Sequence, residues 1–235
     1  MNDLVSITNL SYRRNWHTLL AHLDLHIPAN RIVGLLGANG AGKTTLIRLI
    51  AGLSVAYHGT IEVGHVTSPL ARKSIVSTSL AMIGSSKNAT VTELANFWQN
   101  VYPDFDQQVF NQLKTQLNLP LTTKVAALSK GNRAKVELAL CLSRRAQLYL
   151  LDEPFNGIDS MTRKKLVAGI LNWLPEHASI VISDHHVTDI APLLDEVVII
   201  KDQHVVAQLG ADEIRVQHQS LENYYESFYQ EEVAQ

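Results

Sequence analysis

The 235-residue sequence predicts an α/β fold with a mostly parallel central sheet. Between residues 148 and 200, apolar runs alternate with helical periodicities, which is typical of a parallel sheet covered by helices on both faces. A glycine-rich segment at 37–44 separates an apolar run from a helical pattern. The first sixty residues instead contain short strand-like runs, and the alternation at 19–27 has a period of two. We therefore expect an antiparallel β subdomain beside the parallel sheet.

The individual elements follow from the same periodicities. Strands are expected at 4–10, 19–27, 31–36, 60–64, 148–151, 179–183 and 196–200. Helices are expected at 43–53, 90–119 with a break at Pro103, 161–174 and 187–194, and in a segment that Ser129 could cap and that runs to Leu142. Residues 65–89 lack periodicity and are expected to form edge structure and loops. The helical pattern near the middle predicts a small α-helical insert at about 88–140 within one domain, 1–235.

The composition is that of a globular protein, with 46% hydrophobic and 18% charged residues. A formal net charge of −2 without a run of like charges argues against a nucleic-acid-binding protein. The apolar stretches are shorter than the roughly 18 to 20 residues needed to cross a bilayer. The first residues lack the pattern of a signal peptide. We therefore expect a cytoplasmic protein.

Cysteine and histidine usage gives little sign of redox or metal chemistry. Cys141 lies between two leucines, so we expect a small buried side chain and not a reactive thiol. His22 and His26 alternate with apolar residues, which places them on the exposed face of a strand and disfavours a zinc site.

Residues 37–44 match the phosphate-binding pattern G-x-x-x-x-G-K-[ST] and lie between a predicted strand and a predicted helix. In such a loop, glycines let backbone N–H groups surround phosphate oxygens, and the helix adds the positive end of its dipole. We expect Lys43 to reach the outer phosphates and the Thr44 hydroxyl to bind Mg²⁺. The residues expected to bind the nucleotide here are Gly37, Ala38, Asn39, Gly40, Ala41, Gly42, Lys43, Thr44 and Thr45.

A second element supports phosphate chemistry. The apolar run at 148–151 ends in two adjacent carboxylates, Asp152 and Glu153. We expect Asp152 to hold Mg²⁺, directly or through water, and Glu153 to accept a proton from the water that attacks the terminal phosphate. Two such elements at strand ends of one parallel sheet support each other and predict a phosphate-binding site.

With these motifs, the chain resembles the nucleotide-binding subunit of ABC transporters over nearly its whole length. Between the two motifs, Leu128-Ser129-Lys130-Gly131-Asn132 is similar to the family signature L-S-G-G-Q, with Lys130 in place of a glycine and Asn132 in place of the glutamine. The resemblance implies a P-loop NTPase fold of ABC type and, more specifically, the single-domain ATPases of small two-component bacterial exporters.

The resemblance also implies roles for individual residues. Ser129 and Gly131 would face the nucleotide of a second subunit, and Asp159 would contact that subunit. His185 falls where the family has its histidine that senses the terminal phosphate; His186 is the alternative. Tyr12 matches the aromatic residue that stacks on adenine, although a core position is nearly as plausible. The family also carries a glutamine near residues 80–90 that touches Mg²⁺, and this sequence has none at 83–90; Asn88 or Ser86 could replace it.

The implied function is an ATP-hydrolysing subunit that binds ATP and Mg²⁺. It would dimerise head to tail around two ATP molecules, as a homodimer or heterodimer, and drive a separate membrane permease, with export the implied direction. It would thus lie at the inner face of the membrane through that permease. Two alternatives stay open: a soluble ABC ATPase acting on ribosomes or DNA, and a regulatory half of a heterodimer. The permease would contact residues 84–105, where aromatic side chains form either a groove or the core of the insert.

Overall fold

The structure is a computed structural model that describes residues 3–184, 187–218 and 220–229. Its strands are β1 Asp3–Arg14, β2 His17–Pro28, β3 Ile32–Leu36, β4 His58–Val63, β5 Val76–Thr78, β6 Leu148–Asp152, β7 Ser179–Ser183, β8 Glu196–Lys201 and β9 His204–Gly210. Its α-helices are α1 Lys43–Ile50, α2 Pro69–Ile75, α3 Val91–Val101, α4 Gln107–Gln116, α5 Lys130–Leu142, α6 Ser160–Gly169, α7 Val187–Ile190, α8 Ala211–His218 and α9 Leu221–Ser227.

The larger sheet has the strand order β5-β6-β7-β3-β8-β9, and all its pairings are parallel except that of β8 with β9. Strands β6, β7 and β3 are therefore neighbours that point in one direction. Asp152 at the end of β6 pairs with Ser183 at the end of β7. The loops that follow these three strands consequently meet at one edge of the sheet, which is where an α/β fold binds ligands.

Both faces of this sheet are covered, as the sequence predicts. In β6, Leu148 and Leu150 pack with the antiparallel sheet and α1, whereas Tyr149 and Leu151 pack with the helices on the opposite face. The second sheet has the order β2-β1-β4 and is antiparallel, so the predicted β subdomain is confirmed. Its outward face carries His22 and His26, which are exposed as expected.

The predicted central helices are present as α3 and α4, followed by α5. Thr90 and Glu93 form a capping box at the start of α3, with each side chain accepting the backbone N–H of the other. Cys141 in α5 is fully buried, as expected, and burial raises the pKa of its thiol to about 12.

The structure differs from the sequence prediction in the segment 65–89 and after residue 200. The first contains α2 and β5, and α2 escapes detection because its buried side chain is Arg72 and not an apolar stripe. The second contains β9, α8 and α9, for which no element is predicted. Two predicted helices are also shorter: α6 and α7 each continue as a 3₁₀ turn. No helix in the described ranges is long and apolar enough to span a bilayer.

Candidate functional site

The loop at 37–42 joins β3 to α1 and adopts a shape that requires glycine. Gly42 has a φ of +112°, and a β-carbon there would lie 2.7 Å from a methyl group of Leu20. A side chain at this position would therefore be strained and would clash with β2. The loop closes on itself through a hydrogen bond from the Ala41 N–H to the carbonyl of Ala38, at 3.1 Å.

Lys43, the first residue of α1, is buried beneath this loop. Its ammonium group donates to the carbonyl oxygens of Gly37, at 2.6 Å, and Ala38, at 3.0 Å. Burial lowers the pKa of Lys43, and the carboxylates of Glu153, Asp152 and, more weakly, Asp184 oppose that shift. A buried ammonium group that is bonded to the phosphate-binding loop is suited to neutralise phosphate charge.

Two serine hydroxyls, one at the end of β7 and one just after β5, hold Asp152 in place. Ser183 Oγ donates to Asp152 Oδ1 at 2.7 Å, and the Asp152 N–H donates to Ser79 Oγ at 2.8 Å. The side chain of Asp152 therefore has a fixed orientation at the edge where the loops meet. Neither serine is part of the motifs found in the sequence.

Glu153 follows directly and has an uncommon backbone conformation, with a φ of +43°. Its N–H donates to the Ser183 carbonyl at 2.9 Å, and its Oε2 accepts a hydrogen bond from Asn156 Nδ2 at 2.7 Å. A non-glycine residue held in the left-handed region is a recurrent feature of functional sites. The geometry turns Glu153 toward the phosphate-binding loop.

A cavity of about 220 Å³ brings the two sequence motifs together. Its lining consists of Leu19, Asn39, Gly40, Gly42, Lys43, Thr44, Thr45 and Glu153. A buried ammonium group, two threonine hydroxyls and a carboxylate thus share one space, next to which Asp152 ends β6.

This arrangement fits phosphates and a magnesium ion. Mg²⁺ prefers oxygen ligands and is commonly held by one or two protein groups plus substrate phosphates. The Thr44 hydroxyl and the Asp152 carboxylate are donors of this type. Within the described ranges, no group of three His, Cys, Asp or Glu side chains could hold a metal ion without further ligands. The oxygen atoms of Thr44 and Asp152 suit an ion that also binds substrate phosphates.

Asp184 is a site residue that the sequence motifs do not include. It follows β7 directly, is 4% exposed, and its charge acts on Lys43. Its position in the sequence could have indicated a role in the site. Asp184 is an acidic residue that directly follows the apolar strand β7, just as Glu153 directly follows β6. The predicted sensor His185 lies outside the described residues, as does His186.

The predicted signature segment begins α5. Ser129 is the N-cap of this helix, and its Oγ accepts the N–H of Asn132 at 3.2 Å. Ser129 is exposed. The described residues that line the 220 Å³ cavity of the same subunit do not include Ser129 or Gly131. Asp159, at the end of the loop after Glu153, is an exposed N-cap of α6.

The predicted adenine-stacking residue, Tyr12, is half-buried in β1 and packs against the apolar cluster of the antiparallel sheet. A second aromatic residue lies close by in the chain. Trp16, in the turn between β1 and β2, is fully exposed. Because Trp16 lies in a turn, outside any periodic segment, the sequence pattern does not indicate its exposure.

The aromatic residues of the insert form both a core and a groove. Trp98 is 6% exposed and its ring lies 4.8 Å from that of Tyr102, whereas Phe97 is 58% exposed. They border a cavity of about 460 Å³. Its other lining residues are Ala81, Ile83, Gly84, Ser85, Ser86, Ala89, Glu93 and Leu94.

Several known proteins are similar to this chain in sequence. The ABC transporter family profile matches residues 20–156. The ABC transporter ATP-binding protein YtrB of Bacillus subtilis is 30% identical over 219 residues, which cover 92% of this chain and 75% of YtrB. The thiamine import ATP-binding protein ThiQ of Photorhabdus laumondii is 30% identical over 86% of this chain and 88% of its own. The aliphatic sulfonates import ATP-binding protein SsuB of Escherichia coli is 29% identical over 89% of this chain and 81% of SsuB.

Solved structures share the fold. An ATP-binding subunit of an ABC transporter superimposes with a TM-score of 0.78 at 24% identity and covers 95% of this chain and 98% of its own. A putative cobalt transport ATP-binding protein gives a TM-score of 0.74 at 22% identity and covers 89% of this chain and 81% of its own. The fold is therefore the α/β fold of ABC ATPase domains. Because the family profile covers more than half of the sequence and YtrB aligns with most of it, this chain belongs to the ABC transporter family.

Proposed function

We propose that this chain binds ATP at residues 37–45 and hydrolyses it to drive a separate membrane permease. The observation that carries the proposal is the shared cavity that holds Lys43, Thr44, Thr45 and Glu153. Each group would serve a different part of the reaction: Lys43 provides positive charge for the phosphates, the Thr44 hydroxyl a ligand for the metal, and Glu153 a carboxylate for the attacking water. We place the whole nucleotide-binding domain at 1–235, with the insert at about 88–140.

Each protein group has a role that its surroundings permit. The backbone N–H groups of the loop and the Lys43 ammonium bind and orient the phosphates. Thr44 and Asp152 would hold Mg²⁺, which supplies charge neutralisation at the phosphates. Glu153, which Asn156 orients, accepts the proton of the attacking water. His185 is proposed as the sensor of the terminal phosphate. For the adenine we propose stacking on Tyr12, with the exposed Trp16 as the alternative.

The site is proposed to be completed by a second subunit. Ser129 is exposed and caps a helix, so its hydroxyl and the first N–H groups of α5 can face an anion outside their own subunit. In a head-to-tail dimer, two copies would place these groups over each other's phosphates. The second subunit could be the same chain or a related one, in which case this chain could be the regulatory half.

The permease is proposed to bind the groove of about 460 Å³ beside α3, where Phe97 exposes apolar surface. Export is the direction we propose, from the resemblance to ATPases of small exporters; ThiQ and SsuB are named as import proteins. Substituting Phe97→Ser should reduce recovery of a co-expressed permease. The matched control is Leu70→Ser, which alters an apolar side chain on α2 that is more exposed than Phe97, at 78% against 58%, and does not line the groove. Equal recovery with both variants would contradict the groove assignment.

The test of the function is ATP turnover by the purified chain over a range of protein concentrations, with and without Mg²⁺. We expect turnover that requires Mg²⁺, rises more than linearly with protein concentration and is lost in Glu153→Gln. Lys43→Ala should abolish tight nucleotide binding. If Glu153→Gln hydrolyses ATP as fast as the wild type, the carboxylate is not the base. ATP binding without turnover would indicate a missing partner, either a second ATPase subunit or the permease, and ATPase activity stimulated by ribosomes or DNA would favour the non-transport alternative.

A further inference from the structure

The C-terminal helix reaches back to the phosphate-binding loop. Tyr229 lies two residues after α9 ends, and its phenolic oxygen accepts the backbone N–H of Ala38 at 3.0 Å. The two residues are 191 positions apart in the chain. A cavity of about 290 Å³ lies at this junction and is lined by residues 38–41, the turn between β8 and β9, and Tyr229.

The peptide group that donates to Tyr229 also accepts a hydrogen bond from Lys43. The Gly37–Ala38 peptide donates its N–H to Tyr229 and offers its carbonyl, that of Gly37, to the Lys43 ammonium at 2.6 Å. Because a trans peptide is planar, its N–H and C=O point in opposite directions. Tyr229 and Lys43 therefore bind opposite edges of one rigid unit. The tyrosine hydroxyl fixes the rotation of this unit and, with it, the direction of the carbonyl that receives Lys43.

Both partners of this contact are themselves anchored to β8. The Lys201 ammonium donates to the carbonyl of Phe228 at 2.7 Å and lies 5.2 Å from the centre of the Tyr229 ring. This pairing places a cation at the C-terminal end of α9 and over an aromatic face. On the other side, a β-carbon at Gly37 would lie 2.5 Å from the carbonyl oxygen of Ile200, so the loop begins in direct contact with β8. The hydroxyl of Tyr229 thus approaches the loop from a fixed position.

We infer that Tyr229 is a positioning residue for the nucleotide site, which holds the Gly37–Ala38 peptide so that the Lys43 ammonium is placed before ATP binds. The inference rests on the proposed function of the loop. Holding a binding group in place in advance lowers the ordering cost of ligand binding. The contribution therefore belongs to nucleotide affinity and leaves the chemical step to Glu153.

The experiment compares Tyr229→Phe with Tyr224→Phe in the full chain. Tyr229→Phe removes the hydroxyl and leaves the ring beside Lys201. Tyr224→Phe removes a hydroxyl from α9, five residues before Tyr229, where the ring packs in the core. We expect Tyr229→Phe to raise the Kd of a fluorescent ATP analogue about fivefold, the worth of one net hydrogen bond, and to raise KM equally without changing kcat. Tyr224→Phe should change none of these values.

A second readout does not depend on activity. Hydrogen–deuterium exchange should show faster exchange of the Ala38 amide in Tyr229→Phe and not in Tyr224→Phe. If the Ala38 amide exchanges faster while Kd is unchanged or falls, the positioning role is overturned and the proposed function stands. If the wild-type chain binds no ATP analogue, the function assigned to the loop fails, and this inference fails with it. A fall in kcat at constant Kd would likewise contradict a role in binding.

Discussion

Gly131, in the first turn of α5, faces the backbone of Gly157 so closely that a β-carbon at Gly131 would lie 2.3 Å from the Gly157 carbonyl oxygen. Gly157 belongs to the loop that follows Asp152 and Glu153. The segment proposed to bind the nucleotide of a second subunit is therefore packed against the loop that follows the carboxylates of its own subunit. Gly131 is required for this packing independently of any contact it makes in a dimer.

We expect Gly131→Ala to destabilise the chain by about 1–3 kcal/mol, because the added methyl group forces the helix and the loop apart. This loss of stability is the opposite of what helix propensity alone predicts, because alanine normally stabilises a helix interior by about 0.5–1 kcal/mol relative to glycine. Urea denaturation gives the free energy of unfolding. Gly210→Ala is the control, because a β-carbon there meets no atom within 4 Å. Equal stability of the two variants would show that the close packing is absent.

Ser183 contacts the Asp152 side chain and the Glu153 backbone. Its hydroxyl donates to Asp152 Oδ1 and accepts the N–H of Glu153 at 3.2 Å. Groups that orient a metal ligand commonly change metal affinity 10- to 100-fold when they are removed. For Ser183→Ala we therefore expect the Mg²⁺ concentration at half-maximal ATPase activity to rise about tenfold, with most of kcat recovered at saturating Mg²⁺.

The control for this substitution is Ser77→Ala. Ser77 is also a buried serine of the parallel sheet, in the edge strand β5, but its hydroxyl donates to the carbonyl of Cys141 and not to a carboxylate of the site. We expect this variant to lose stability without a change in Mg²⁺ dependence. A parallel shift in both variants would mean that the Ser183 effect is structural and that Asp152 does not depend on its hydroxyl.

The sequence predicted the parts of the site that lie within short segments. The phosphate-binding loop and the Asp152–Glu153 pair are recognisable because the chemistry and the flanking strand or helix occupy adjacent residues. Ser79, Ser183 and Asp184 are different, since their importance depends on β5, β6, β7 and β3 being neighbours in that order. Periodicity reveals that strands exist and does not reveal their order in the sheet.

The same limit explains why the sequence shows no sign of the contact between Tyr229 and Ala38, which are 191 positions apart. It also explains α2, whose buried position is occupied by a cation. Arg72 is fully buried and donates to the hydroxyl of Tyr57 at 3.2 Å. A search for apolar periodicity does not detect a buried position that an arginine occupies.

Arg144 joins the helical insert to the edge of the parallel sheet. Its guanidinium binds both carboxylate oxygens of Asp104, at 3.1 and 2.9 Å, and donates to the carbonyl of Val76 at 2.7 Å. It also lies 4.0 Å from the ring centre of Tyr102 and is 2% exposed. We expect Arg144→Met to cost about 3–5 kcal/mol, because it leaves a carboxylate and several carbonyls without their donor.

Arg144→Lys should be nearly as costly, because a point charge cannot replace the planar fork. The adjacent Arg145 provides the control. It pairs with Asp106 at 2.6 Å but its side chain is 45% exposed, so Arg145→Lys should cost less than about 1 kcal/mol. Thermal or urea unfolding measures both. Similar small losses at the two positions would contradict the structural role of Arg144.

Glu137 gives the chain a pH-dependent stability. Its side chain on α5 is 21% exposed, and burial raises its pKa to about 7, while Arg133 and a hydrogen bond from the Met82 N–H oppose the shift. An acid whose pKa is higher in the folded than in the unfolded state binds its proton more tightly when folded. Its stabilisation is fully present below about pH 4.5, the unfolded value, and is lost as the pH rises through about 7.

Glu137→Gln keeps an acceptor for the Met82 N–H and removes the titration. We expect the variant to gain about 2 kcal/mol relative to the wild type between pH 5.5 and pH 8, because only the wild type loses a proton there. Urea denaturation at the two pH values measures this gain. Glu176→Gln, at an exposed carboxylate, corrects for the loss of one negative charge. If the difference between Glu137→Gln and the wild type is the same at both pH values, Glu137 does not titrate in this range, and its carboxylate stays charged against Arg133.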